Sequence, residues 1–235
     1  MDIAFIAPKS LAEETVVGNY YFLLPQTITQ FHKEEDKKFK MLDNGAYEGS
    51  TSSIDDLLKL AKEYGVDEIV APDILKDYKK TFDLTVPALE KIYRAQLDAA
   101  IVPQGKDINE WILCYRQMIE LKNVRTICIP KWLGRQRPFV IAHLMKNNLW
   151  KPQQFEYHLF GLDYVEELDV YRRMGAQLRS VDTSMPFTLA ANGMKVGYFT
   201  TTENKRVSFQ ATFTEAQRKL ANENMQVLRE IAALV

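Results

Sequence analysis

The sequence predicts an α/β fold, a (β/α)8 TIM-like barrel built as a single domain over residues 1–235. Three observations predict it. Short apolar runs each end in a polar motif: LDNGAYE at Asp43, IVAPD at Asp73, IVPQG at Gln104, ICIPKW at Lys131, YHLFG at Gly161 and SVDTS at Asp182. These motifs recur about every 30 residues, with a shorter last gap, which is the length of one strand plus one crossover helix. The 235-residue length is also ordinary for one barrel, so a second folded domain is not expected.

Buried strands are expected at 2–7, 39–42, 68–72, 99–103, 124–129, 155–160 and 178–182, where apolar, β-branched residues cluster. Helical spacing fills the intervals: SSIDDLLKLAKEYG with a Ser/Asp start and a Gly stop, LTVPALEKIYRAQ, INEWILCYRQMIELK, PFVIAHLMKNN, and YVEELDVYRRMG closed by Gly175. An eighth strand falls on MKVGYFTT (194–201), unless that segment pairs with RVSFQATF as a hairpin. The chain ends in a long amphipathic helix, TEAQRKLANENMQVLREIAALV. Residues 8–38 give no regular reading, because NYYFLLPQTI and the charge run HKEEDKKFK show neither period.

Composition narrows the function classes. With 46% hydrophobic and 26% charged residues the chain is expected to fold as a globular protein, and no run approaches the ~20 apolar residues of a membrane span. MDIAFIAP lacks a basic n-region, so no secretory signal is expected and the cytoplasm is the expected compartment. A net charge of −1 carries no global nucleic-acid signature, so any polyanion contact must be local. Cys114 and Cys128 lack metal-site spacing and sit in apolar patterns, which predicts core thiols, no metal and no cofactor.

Asp43, Asp73 and Asp182 each fall at the last residue of an expected strand, where a carboxylate either acts in chemistry or caps the next helix. Three acids on one barrel mouth repel one another, which a fold tolerates where a cation, a substrate or shifted pKa values compensate. Without a metal, such acids suit glycosyl transfer, one attacking the anomeric carbon and another exchanging a proton. Gln104 offers a donor and an acceptor to a purine-like edge, and Gly105 beside it would let backbone approach a flat ligand. Tyr47 and Phe160 could sandwich that ring, although an aromatic at a strand end is as readily core. Lys131, Trp132, Arg135 and Arg137 share one loop suited to phosphate contact and stacking, or to plain solvation. Lys195, Lys205 and Arg206 form a second basic group. His158 is a possible lining residue.

The ordered set DNGAYE, APD, VPQG, the loop after IP, HLFGL and SVDTSMPFTLAANG resembles the tRNA-guanine transglycosylase superfamily, and within it the short, phage-type branch that inserts 7-deazaguanine bases into DNA. The resemblance runs from about residue 40 to 193. It implies that Asp182 is the nucleophile at C1′ of a guanosine nucleotide and that Asp43 is a general acid/base at the exchanged base. It further implies substrate-binding roles for Asp73, Gln104, Tyr47, Phe160 and the loop from Lys131 through Trp132 to Gly134, and Asn44, Gly105, Gly161 and His158 are further substrate-binding candidates by their places in the motifs. Lys131, Arg135, Arg137 and Lys195 would contact nucleic acid. The cysteine-rich zinc motif of the tRNA-modifying enzymes is absent, and a Pro-containing loop too short for that module follows Asp182, which favours DNA over tRNA. NGAYE replaces the family's SGGF, and KWLG replaces its glycine-rich loop. The expected partners are therefore DNA and a free 7-deazaguanine base, most closely 7-cyano-7-deazaguanine, and the expected reaction is retaining base exchange. The rival readings are a nucleoside N-glycosidase or deoxyribosyltransferase, and a non-catalytic nucleic-acid-binding barrel in which the acids are caps.

Overall fold

Parallel pairing organises the whole chain in the computed structural model, which describes residues 1–35, 37–49, 52–202 and 206–235. The strands are β1 (Asp2–Phe5), β2 (Tyr21–Leu23), β3 (Lys40–Leu42), β4 (Glu68–Val70), β5 (Asp98–Ile101), β6 (Thr126–Ile129), β7 (Glu156–Leu159) and β8 (Ser180–Thr183). Their order in the sheet is β1-β8-β7-β6-β5-β4-β3-β2, so chain neighbours are sheet neighbours and β8 returns to β1. At the remaining seam, between β1 and β2, a side chain replaces a ladder. The backbone N–H of Asn19 donates to the Ile3 carbonyl at 2.9 Å, and Asn19 Oδ1 accepts from the Ile3 N–H at 3.1 Å.

The helices are α1 (Gln30–Glu34), α2 (Ile54–Tyr64), α3 (Tyr78–Arg94), α4 (Ile108–Met118), α5 (Arg137–Lys146), α6 (Glu166–Met174), α7 (Met185–Ala191) and α8 (Glu215–Ala233). Six of them sit on the expected helical patterns. Two expectations are corrected. The eighth strand is Tyr21–Leu23, inside the segment without a period, and not 194–201, where the regular pairing is a single bridge between Tyr164 and Thr201. No strand forms over 206–213 either, so the hairpin alternative also fails among the described residues. The segment after Asp182, expected as a loop, winds into α7, with Pro186 in its first turn, where a missing N–H costs nothing.

Strand periodicity divides the core into two layers. Ile69, Tyr157 and Val181 point outward to the helices, while Ala4, Phe22, Met41, Val70 and Cys128 fill the lumen. Polar lumen positions, Glu68, Thr126, His158, Ser180 and Asp182, are all buried. Both cysteines are free and buried, as their apolar patterns predict. Among the described residues no helix is long and apolar enough to cross a membrane.

Candidate active site

A cavity of about 470 Å³ opens at the C-terminal end of the barrel. Asp43, Asp73, Gln104, Lys131, Gly161 and Asp182 all line it. The strand-end motifs therefore converge on one site. Helix capping does not explain its acids, because other residues perform that task. Ser53 caps α2, Asp77 accepts from Lys80 N–H at the start of α3, and Asp107 accepts from Glu110 N–H at the start of α4.

Asp182 is held from two sides by one oxygen. Its Oδ1 accepts from Gly161 N–H at 3.0 Å and lies 3.1 Å from His158 Nε2. Among the described residues no hydrogen bond reaches Oδ2. Glycine suits Gly161 in this arrangement. Its φ of +60° is left-handed, and a Cβ there would lie 2.7 Å from the Lys131 Cδ that crosses it.

Asp73 and Gln104 form a hydrogen-bonded shelf across the cavity. Asn44 Nδ2 donates to Asp73 Oδ1 at 2.7 Å and to the Ala71 carbonyl at 2.8 Å, while Gln104 Nε2 donates to Asp73 Oδ2 at 2.7 Å. Gln104 Oε1 accepts from Trp132 Nε1–H at 2.9 Å and from Lys76 N–H at 3.1 Å. Neither of those donors can act as an acceptor, so the amide orientation is settled, and one Nε2 hydrogen of Gln104 remains for a ligand. Burial pushes the Asp73 carboxyl up to about 6, and the Asn44 and Gln104 donors hold it from rising further. Asn44 reaches the site through Asp73, since both its amide hydrogens are engaged by protein.

Asp43 accepts from Gly45 N–H at 3.0 Å, which turns the chain into the short 3₁₀ segment Ala46–Glu48. Burial drives its pKa well above the carboxylate range, with Glu48, Asp73 and Asp182 adding like charge and the Gly45 N–H opposing. Asp43 is accordingly biased toward its protonated form. Glu48, which the motif reading did not single out, also lines the cavity; the residue as a whole is exposed, but desolvation of its carboxyl there, with the Asp182 charge adding, raises its pKa. Compensating cations stand at the mouth. Arg206 donates to the Tyr47 hydroxyl at 2.6 Å with its guanidinium 4.8 Å from the ring centre, and Lys131 Nζ lies 5.9 Å from that centre. Lys131 is also paired with Asp163 at 2.9 Å.

Phe160 and Trp132 line the cavity as expected, and Phe22, from the strand that showed no period, lines it with them. Four expected site residues lie elsewhere. Gly105 is not a ligand contact: a Cβ there would sit 2.3 Å from the Trp111 backbone nitrogen, so its close approach is to α4. His158 is fully buried behind Asp182 and does not line the cavity. Arg137 is 2% exposed, pairs with Glu167 through two 2.7 Å contacts, and donates to the Phe160 and Gly161 carbonyls at 2.6 and 2.9 Å. It shapes the β7 loop and has no surface to offer a phosphate. Lys195 is paired with Glu223 of α8 at 3.1 Å and does not line the cavity. Arg135 remains exposed, 4.0 Å over the Tyr164 ring and 3.5 Å from Glu166, whereas Lys205 lies outside the described residues.

No family model matches the chain, and no curated protein matches it. Solved structures do. The Amycolatopsis orientalis BexX/CysO complex is 12% identical with a TM-score of 0.52, over 98% of this chain and 89% of that one. N-acetylneuraminate lyase from Mycoplasma synoviae is 17% identical with a TM-score of 0.48, over 78% of this chain and 68% of that one. The likeness is one of fold. Function has to be argued from the site, since barrels of this kind host unrelated chemistries at the same mouth.

Chemically the site combines a carboxylate with an unpartnered oxygen, a second carboxyl biased toward its protonated form, and a flat edge of paired donor and acceptor groups. Among the described residues no cluster of three or more His, Cys, Asp or Glu is arranged to hold a metal ion.

Proposed function

We propose that the protein is a base-exchange transglycosylase that replaces guanine in DNA with a free 7-deazaguanine base, 7-cyano-7-deazaguanine being the candidate the sequence resemblance supplies. The observation that carries this reading is the pairing of Asp182 and Asp43, a nucleophile and an acid, beside the Asp73–Gln104 shelf in one cavity. A 6-oxopurine with a 2-amino group is complementary to that shelf. Its N1–H and N2–H donate to the Asp73 carboxylate, and its O6 accepts the free Nε2 hydrogen of Gln104.

In the first half-reaction, Asp182 Oδ2 attacks C1′, the C1′–N9 bond breaks with its electron pair leaving on guanine, and Asp43 gives that base a proton. In the second, the incoming base attacks C1′ through N9, its N9 proton passes to Asp43, and the Asp182 carboxylate is released. Two inversions retain configuration. A cavity of about 470 Å³ has the size of a small-molecule pocket and takes one base with its sugar, so the target base must leave the stack or come from an open strand. DNA is favoured over tRNA by the resemblance to the short branch. The two cysteines are both buried core thiols, which is consistent with the missing zinc module.

The test is incorporation of a labelled 7-deazaguanine base into guanine-containing DNA and, in parallel, into tRNA and free nucleosides, with wild type and Asp182→Ala. Label in DNA, lost in the variant, is expected. Label in tRNA or nucleosides alone would reassign the substrate, and label in none would overturn the reading.

A further inference from the structure

The fully buried His158 has one ring nitrogen facing Asp182 and the other facing Ser180, and the Asp182 carboxylate fixes which of them carries the proton. Arg179 Nε–H lies 3.2 Å from Ser180 Oγ and can only donate, so Ser180 accepts there. Ser180 Oγ keeps its hydrogen and a second lone pair, so at 2.9 Å it can donate to Nδ1 once the other end of the ring is fixed. Tyr20 OH, 3.3 Å from the same nitrogen, donates to the Val181 carbonyl at 3.2 Å and does not compete. Nε2 faces a carboxylate oxygen that can only accept, so the proton of the neutral ring sits on Nε2, Nε2–H donates to Asp182 Oδ1 at 3.1 Å, and Nδ1 is left as an acceptor facing Ser180. The opposite tautomer would leave a bare nitrogen lone pair against a carboxylate oxygen.

The line begins at the other end of the barrel. Arg179 pairs with the fully buried Glu68 at 2.8 Å and with Glu156 at 2.6 Å, so its guanidinium is anchored from both sides. Phe22 stacks on the imidazole with ring centres 5.2 Å apart and planes 14° from parallel, which stops the ring from flipping. Burial also lowers the His158 pKa, against the pull of Asp182, which keeps the ring neutral.

We propose that His158 is a positioning residue whose Nε2–H tautomer, set by the Asp182 carboxylate and accommodated at Nδ1 by Ser180, anchors Asp182 Oδ1 and leaves Oδ2 as the attacking oxygen. This rests on the base-exchange reading for its catalytic consequence, but the tautomer is a property of the protein alone. Ring-nitrogen NMR on wild type reads that tautomer directly, and substitution assigns the signal among the three histidines. The expected result is one neutral species with Nδ1 unprotonated. Ser180→Ala removes the partner at Nδ1 and should leave the Nε2–H tautomer in place, because the Asp182 carboxylate still faces Nε2. His158→Phe should slow base exchange roughly 10- to 100-fold with purine binding unchanged, and His158→Gln, which restores an N–H near Nε2, should recover most of the rate.

An Nδ1–H ring or an imidazolium in wild type at neutral pH would overturn the proposal, as would equal losses in the Phe and Gln variants. Wild type that exchanges no base but shows the expected tautomer sinks the base-exchange reading and leaves the hydrogen-bond line standing.

Discussion

The amide of Gln104 donates to Asp73 Oδ2 at 2.7 Å while its own oxygen is filled by Trp132 and Lys76, so these two side chains form one recognition edge with an assigned direction. Under the base-exchange proposal, purine discrimination follows from that direction.

Trp132→Phe removes one of the two donors that orient Gln104 and keeps most of the ring. The amide then has less reason to present nitrogen rather than oxygen to the cavity. Calorimetry with guanine and 2,6-diaminopurine should show the preference for the 6-oxo base falling roughly tenfold, a lost or inverted hydrogen bond. An unchanged ratio would mean that Trp132 only fills space.

Base affinity should follow the ionisation of Asp73. Its pKa of about 6 means that above pH 6 it accepts the N1–H and N2–H of the base as a carboxylate, and below pH 6 it binds a proton instead. The bound state favours the ionised form, so affinity should fall about tenfold per unit as pH drops below 6. The fold responds with the opposite sign. Because the folded pKa lies above the unfolded value, this group favours the folded state most below pH ~4 and loses that contribution as pH rises through 6. Titrations of binding and of thermal stability across pH 4 to 8 separate the two trends.

Arg137→Met should unfold the rim rather than weaken nucleic-acid binding selectively. It leaves the buried Glu167 carboxylate without its cation and the Phe160 and Gly161 carbonyls without donors. Loss of one partner from a buried pair costs roughly 3–5 kcal/mol, readable by denaturant unfolding. A stable variant with impaired DNA binding would return Arg137 to the interface.

Gly105→Ala should destabilise the protein by roughly 1–3 kcal/mol, because the new methyl meets rigid α4 backbone. A variant that is fully stable but blind to purines would instead make Gly105 a ligand contact.

Much of this was legible in the residues because a parallel barrel repeats one unit and delivers each strand end to the same mouth. Asp43, Asp73, Gln104 and Asp182 could be placed together from spacing alone. β2 could not, because three residues of NYYFLL carry no period and are a strand only by pairing beside Lys40–Leu42. The basic loop misled in a different way. Arg135 and Arg137 look alike in sequence, yet one is exposed on Tyr164 and the other is sealed against Glu167, and only packing separates them. His158 was visible at a strand end, but the period-2 rule alone could not say that it backs Asp182 rather than lining the cavity. Glu48 and Arg206 joined the site by tertiary placement, one by the turn that Gly45 starts and the other by the segment that crosses the mouth.

The most direct measurement is intact-protein mass spectrometry after incubation with guanine-containing DNA oligonucleotides and rapid acid quench, followed by peptide mapping. The account predicts a covalent DNA adduct on Asp182, absent in Asp182→Asn and discharged when a free 7-deazaguanine base is added. A labelled base transferred into DNA with no protein adduct, or an adduct on Asp43 or Glu48, would contradict it.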